Sequence, residues 1–267
     1  MSKLDLREAK RFLPTTREEM DALGWKQCDV ILVSGDAYID SPFIGVAVVG
    51  RMLEKLGYKV GIIGQPDVKS DKDIKRLGEP RLYWGVSGGS IDSMVANYTA
   101  TKKFRNSDDY TPGGKNTKRP DRAVLVYTNL IRQNFKNTVP VVLGGIEASL
   151  RRVTHYDYWT NKLRKPILFD SKADILIYGM GEQAIRDLTK ALDKGSEWRD
   201  VRGVCYINKE PVERYHQLPS HQECLDDKEK YIDLFDLFYV NNDPIAAKGL
   251  CLKVDTRYSI QNPPCDY

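Results

Sequence analysis

No stretch of this chain reaches the ~20 consecutive apolar residues of a membrane span, so no membrane segment is expected. Its start, Met1-Ser-Lys-Leu-Asp-Leu-Arg-Glu8, lacks the apolar run of a signal peptide, and a cytoplasmic location is the expectation. Cysteine is sparse. The five residues Cys28, Cys205, Cys224, Cys251 and Cys265 are odd in number and far apart, which argues against a disulfide framework and suits a reducing compartment. No Cys-x-x-Cys pair occurs, and the nearest approach to a metal cluster, His216, His221 and Cys224, fits no standard zinc spacing. Neither a Gly-x-Gly-x-x-Gly fingerprint nor a Walker P-loop is present, which argues against a standard dinucleotide or nucleoside triphosphate site. A net charge of +4 is too small by itself to imply nucleic acid.

What is present is an ordinary globular composition, 41% hydrophobic and 29% charged over 267 residues, enough to bury a substantial core. The basic residues are uneven. Lys102, Lys103, Arg105, Lys115, Lys118, Arg119 and Arg122 form one cluster; Arg151, Arg152, Lys162, Arg164 and Lys165 form another. They read as a solvated loop and a solvated helix face, with an anionic small molecule or RNA as the alternative partner.

Three apolar runs, Asp29–Val33, Pro140–Leu143 and Asp174–Tyr178, each reach a glycine turn. Strand, glycine turn and helix in succession predict an α/β fold with a doubly wound, mostly parallel sheet, whose ligand sites lie at the carboxyl ends of its strands. Ser41 and Pro42 predict a helix start, Val46, Val49, Leu53 and Leu56 its apolar face, and Gly57 its C′ stop. Further strands are expected at Lys59–Ile63, Arg81–Val86 and Arg122–Tyr127, a helix at Glu182–Leu192 closed by Gly195, and an edge strand at Val201–Ile207. Lys102–Arg119, rich in turn formers, is expected outside the core. Residues 1–25 read as an N-terminal extension, with Thr16 capping a short helix, and 26–207 as the α/β domain. Residues 208–267 read as a linker, made of an amphipathic helix over Glu223–Phe238 (apolar at Leu225, Ile232, Phe235 and Phe238) and a hairpin over Leu250–Val254 and Arg257–Gln261.

The strand ends supply the candidate ligand-binding residues: Asp36, Asp40 and Gly45 after the first strand, Ser87 and Gly88 after the third, then Gly144, Gly145 and Glu147, and Gly179, Gly181 and Glu182. Each turn also reads as a tight connection with a carboxylate at a helix start. Asp40-Ser-Pro-Phe-Ile-Gly45 has the spacing of the Asp-x-His-x-x-Gly loop of cobalamin-binding domains, but Pro42 stands where the cobalt-ligating histidine would be, and proline has no ligating nitrogen, which leaves a cobalamin carrier without histidine ligation as the alternative. Ser149-Leu-Arg-Arg-Val-Thr-His-Tyr-Asp-Tyr-Trp159 adds Arg151, Arg152 and His155 as phosphate-, base- or proton-handling candidates. The competing reading there is an amphipathic helix that buries Tyr156 and Trp159 and exposes its arginines. No catalytic residue or metal ligand is assigned.

Phe12-Leu-Pro-Thr-Thr16, Cys28-Asp-Val-Ile-Leu-Val-Ser-Gly-Asp-Ala-Tyr38, Val142-Leu-Gly-Gly-Ile-Glu-Ala-Ser-Leu-Arg-Arg152 with His155-Tyr-Asp-Tyr-Trp159, Tyr178-Gly-Met-Gly-Glu182 and Gln261-Asn-Pro-Pro264 together resemble the N-terminal half of YgiQ-type radical SAM proteins. The resemblance implies a cobalamin-binding-like α/β domain ahead of a radical SAM barrel. In that family the barrel carries a Cys-x3-Cys-x2-Cys motif whose thiolates hold three irons of a 4Fe–4S cluster, the fourth binding S-adenosylmethionine. This sequence has no such motif. The expectation is a fragment that holds no cofactor itself, is not competent for catalysis alone, and covers the barrel mouth or helps to bind substrate, with the barrel in cis.

Overall fold

The computed structural model, which describes residues 12–39 and 45–265, shows parallel winding around the runs Asp29–Val33 and Pro140–Leu143, whereas the strand of the Asp174–Tyr178 run pairs antiparallel with Val204–Tyr206. The chain divides into two units, Met1–Glu147 and Ala148–Tyr267.

The first unit opens with α1 (Arg17–Ala22), closed by a capping box: Glu19 N–H donates to Thr16 Oγ1 at 3.2 Å, and the Glu19 carboxylate accepts from Thr16 N–H at 3.1 Å. There follow β1 (Val30–Ser34), α2 (Gly45–Lys55), β2 (Val60–Gly64), α3 (Lys72–Lys75), β3 (Tyr83–Ser87), α4 (Ser93–Asn97), α5 (Ala123–Asn134), β4 (Val141–Gly144) and α6 (Gly145–Ser149). The strands lie in the order β2-β1-β3-β4, all parallel, with Val30 opposite both Val60 and Tyr83. Every residue of β1 is buried, because both faces of such a sheet are covered, and its sequence is accordingly a continuous apolar run. The Ser41–Pro42 helix start and Asp40 lie outside the described residues. Leu53 is the fully buried member of the expected α2 face, Leu56 is exposed, and Gly57 takes the left-handed conformation expected of it (φ +94°). The expected N-terminal extension is partly tied in: Leu13 is buried, and the Pro14 carbonyl accepts from Ile62 N–H at 2.9 Å.

The strand expected at Arg122–Tyr127 is instead the start of α5. Its buried residues, Ala123, Val124, Tyr127, Thr128 and Ile131, recur at helical spacing. Its orphan N–H groups are met from elsewhere in the fold: Ala123 N–H donates to Ser93 Oγ at 3.0 Å and Val124 N–H to Glu147 Oε1 at 3.1 Å. That long-range capping decides against the strand that Val-Leu-Val-Tyr favours locally.

The second unit holds the hairpin β5 (His155–Asp157) and β6 (Lys162–Arg164), α7 (Ile167–Ser171), β7 (Ile175–Ile177), α8 (Glu182–Lys194), β8 (Val204–Asn208), β9 (His216–Leu218), α9 (His221–Asp226), α10 (Lys228–Val240), β10 (Leu250–Lys253) and β11 (Tyr258–Gln261). Here the strand order is β7-β8-β11-β10-β9. The expected β10–β11 hairpin forms, and α8 ends at Gly195 as expected. The expected edge strand is an interior one, since β8 pairs antiparallel with both β7 and β11. Residues 208–267, expected as a linker, therefore share a sheet with β7 and β8. The helix expected over Glu223–Phe238 breaks at Asp227, which is extended and caps α10 by accepting from Glu229 N–H at 2.9 Å. Its buried anchor is Leu234; Ile232 and Phe235, expected on the core side, face outward. Leu234 packs with Val153, Leu218, Leu250 and Leu252.

Candidate functional site

In the order β2-β1-β3-β4 the chain reverses its winding between β1 and β3, and the carboxyl ends of those two strands are where a doubly wound sheet places its ligand. Five of the expected residues converge there. Gly35 N–H donates to the Ser87 carbonyl at 3.0 Å, so the two turns run side by side. A Cβ on Gly35 would lie 2.0 Å from Gly88 O, and a Cβ on Gly88 would lie 2.3 Å from Glu147 Oε2; only glycines allow this approach. Gly145, with φ +80°, turns beside Ser87.

The space so created is filled by the protein itself. Arg119, with a fully buried side chain, donates from Nη2 to Asp36 Oδ1 at 2.7 Å and to Asp108 at 3.3 Å, and from Nη1 to Gly88 O at 2.7 Å. Asp36 also accepts from Ser90 N–H at 2.6 Å and from the Ser90 hydroxyl. Gln65 bridges Gly35 O at 3.0 Å and Thr111 Oγ1 at 2.6 Å, and Ala37 N–H donates to Tyr110 O at 3.0 Å. Arg119 Nε and the Tyr127 hydroxyl are buried with no hydrogen-bond partner, and burial pushes the Tyr127 phenol well above its ordinary range. Of the expected ligand carboxylates, Asp36 holds Arg119, while Glu147 accepts from Ser93 N–H at 2.9 Å and from Val124 N–H, fastening α4 and α5.

Arg119 corrects the reading of Lys102–Arg122 as solvated. Lys102, Lys103, Arg105, Lys115 and Lys118 are exposed, but Arg119, Asp108, Thr111 and Asn116 are buried. Arg119 stood in the sequence as one basic residue among seven. Without knowing that Asp36 and Asp108 face it, no local signal separates it from its neighbours.

In the second unit, Ser149–Trp159 is not an amphipathic helix. Its residues His155–Asp157 form β5, paired with β6, with Tyr156 exposed, while Arg152 ahead of the strand is buried. The Arg152 guanidinium lies 4.4 Å from the Tyr178 ring and 4.3 Å from the Phe238 ring. It donates to Gln261 Oε1 at 3.0 Å, to Ser149 O at 2.5 Å and to Asn242 Oδ1. Arg151 is half-buried. Burial holds the His155 ring down to about 4, and its Nδ1 lies 3.2 Å from Val153 O, so it is neutral near pH 7. Gly179 (φ +70°) and Gly181 lead into α8, where Glu182 is exposed. The strings at the chain's far end are structural too: the Asn262 side chain donates to the carbonyls of Arg199 and Val201, both at 2.6 Å, and accepts from Tyr215 at 2.9 Å.

The radical SAM N-terminal family model matches residues 12–267. The chain belongs to this family. It is 61% identical over 257 residues to a UPF0313 protein of Fusobacterium nucleatum, covering 96% of this chain and 45% of that protein. It is 55% identical to a UPF0313 protein of Thermotoga neapolitana, covering 95% and 45%, and 50% identical to one of Methanocaldococcus jannaschii, covering 95% and 42%. This radical SAM N-terminal chain thus spans less than half the length of the curated relatives it matches. Two solved structures overlap it loosely. The radical S-adenosylmethionine methyltransferase TsrM of Kitasatospora setae matches at TM-score 0.45 and 17% identity, covering 66% of this chain and 28% of that one. The cobalamin-dependent S-adenosylmethionine radical enzyme OxsB matches at TM-score 0.39 and 16% identity, covering 71% and 22%.

All five cysteines are buried and free. Among the described residues, no group of three or more His, Cys, Asp or Glu side chains is placed to hold a metal.

Proposed function

We propose that this chain is the N-terminal, non-catalytic part of a radical SAM iron–sulfur enzyme, and that it caps the catalytic barrel supplied by the rest of the polypeptide. The observation that carries the reading is the strand-end surface of the first unit. Arg119 is buried against Asp36 and Gly88 there, while Ile39, Val95 and Ile146, in the segments that follow β1, β3 and β4, stand exposed. A strand-end edge filled by its own arginine, followed by segments with exposed apolar residues, suits a protein surface better than a small molecule. Substrate contact then falls to the solvent-facing Gly179–Gly181 turn and Glu182.

The test compares this chain with the full-length Fusobacterium relative. After anaerobic reconstitution, only the longer protein should hold iron and sulfide at about four of each per chain. Backbone amides over 35–39, 87–95 and 144–147 should exchange more slowly in it. Stoichiometric iron and sulfide on this chain alone would overturn the non-catalytic reading, and equal exchange rates would overturn the cap.

A further inference from the structure

Helix α10 is apolar on two faces. One carries Leu234, with Tyr231, Leu237 and Phe238, onto the core of the second unit. The other carries Ile232, Phe235 and Tyr239, spaced three and four residues apart, and these are 49%, 50% and 69% exposed. The Phe235 and Tyr239 rings stack, centroids 6.2 Å apart at 20°. Leu225 of α9 is exposed as well, and the polar residues of α10 are Lys228, Glu229, Lys230, Asp233 and Asp236, with Lys230 paired to Asp233 at 3.1 Å. A helix apolar over most of its circumference belongs inside a larger assembly.

We propose that the Ile232–Phe235–Tyr239 stripe is the docking site for the remainder of the polypeptide in the full-length protein. The inference rests on the reading of the chain as one part of a longer enzyme. The occupant follows from length and from area. More than half of each curated relative lies outside the matched region, so a large folded partner is tethered at high effective concentration. A stripe of three side chains falls well short of the ~800 Å² per partner of a free, stable interface, which disfavours a second copy. The facing surface should be apolar, edged by lysine or arginine opposite Glu229 and Asp236.

The test joins this chain to the unmatched remainder of the Fusobacterium relative and follows amide exchange over residues 228–240. Exchange should slow at least tenfold relative to the chain alone. Ile232→Lys with Phe235→Lys should restore fast exchange while leaving β1 protected. Equal exchange in both proteins would overturn the proposal. So would slowing that the chain alone reproduces as its concentration rises, which would assign the stripe to self-association. Iron content of the joined protein separates the two readings: iron with unprotected α10 defeats only the docking site, and protected α10 without iron defeats only the enzyme assignment.

Discussion

Arg119 in the first unit and Arg152 in the second are both buried, yet the two units keep a guanidinium out of water in opposite ways. Arg119 is neutralised by Asp36 and Asp108. Among the described residues, Arg152 donates to the neutral oxygens of Gln261, Ser149 and Asn242 and lies against the rings of Tyr178 and Phe238, and burial lowers its proton affinity. A charge pair strands its carboxylates if the cation is lost. A cation held by amides and ring faces leaves behind dipoles that relax more cheaply. The first unit should therefore be brittle around its arginine and the second tolerant.

The largest expected effect is at the first arginine. Arg119→Ala leaves Asp36 and Asp108 buried without a counter-charge and should cost about 3–5 kcal/mol in urea denaturation of the first unit. Arg152→Met keeps the length and apolar stem and should cost about 1–3 kcal/mol in the second. Equal losses would erase the contrast. A pH titration sharpens it further. His155 is held near 4 when folded but titrates near 6.5 when unfolded, so the unfolded chain takes up the proton more readily. Its contribution is complete above pH 6.5 and fades as pH falls from there through about 4, by about 1–2 kcal/mol; His155→Gln should flatten that slope. The smallest effects are matched across the units. Thr16→Ala and Ser220→Ala each break a capping box and should each cost about 1 kcal/mol by thermal denaturation.

Much of the parallel half was legible because its signals are local. Continuous apolar runs marked β1, β2, β3 and β4 to within two residues, Gly57 and Gly195 marked helix ends, and Thr16 marked a cap. The resemblance to radical SAM proteins was also carried by short strings in order. The strand-end residues Asp36, Ser87, Gly88, Gly145 and Glu147 lie together because turns after neighbouring parallel strands fall at one edge of the sheet.

What they do there was not legible. Asp36 and Arg119 are 83 residues apart, and Glu147 caps a helix that begins 24 residues before it; only the folded sheet brings these groups within hydrogen-bond reach. The same holds for α10, whose periodicity shows an apolar helix but not which face meets the core. By itself, then, the sequence determined the α/β class, the glycine turns and the family, because each is written in neighbouring residues. Tertiary structure alone decided that Val-Leu-Val-Tyr is helical, that Arg119 is buried against Asp36 and Gly88, and that Ile232 and Phe235 point outward. Those outcomes depend on which distant groups satisfy a buried N–H, a buried charge or an apolar face, and local spacing carries no record of them.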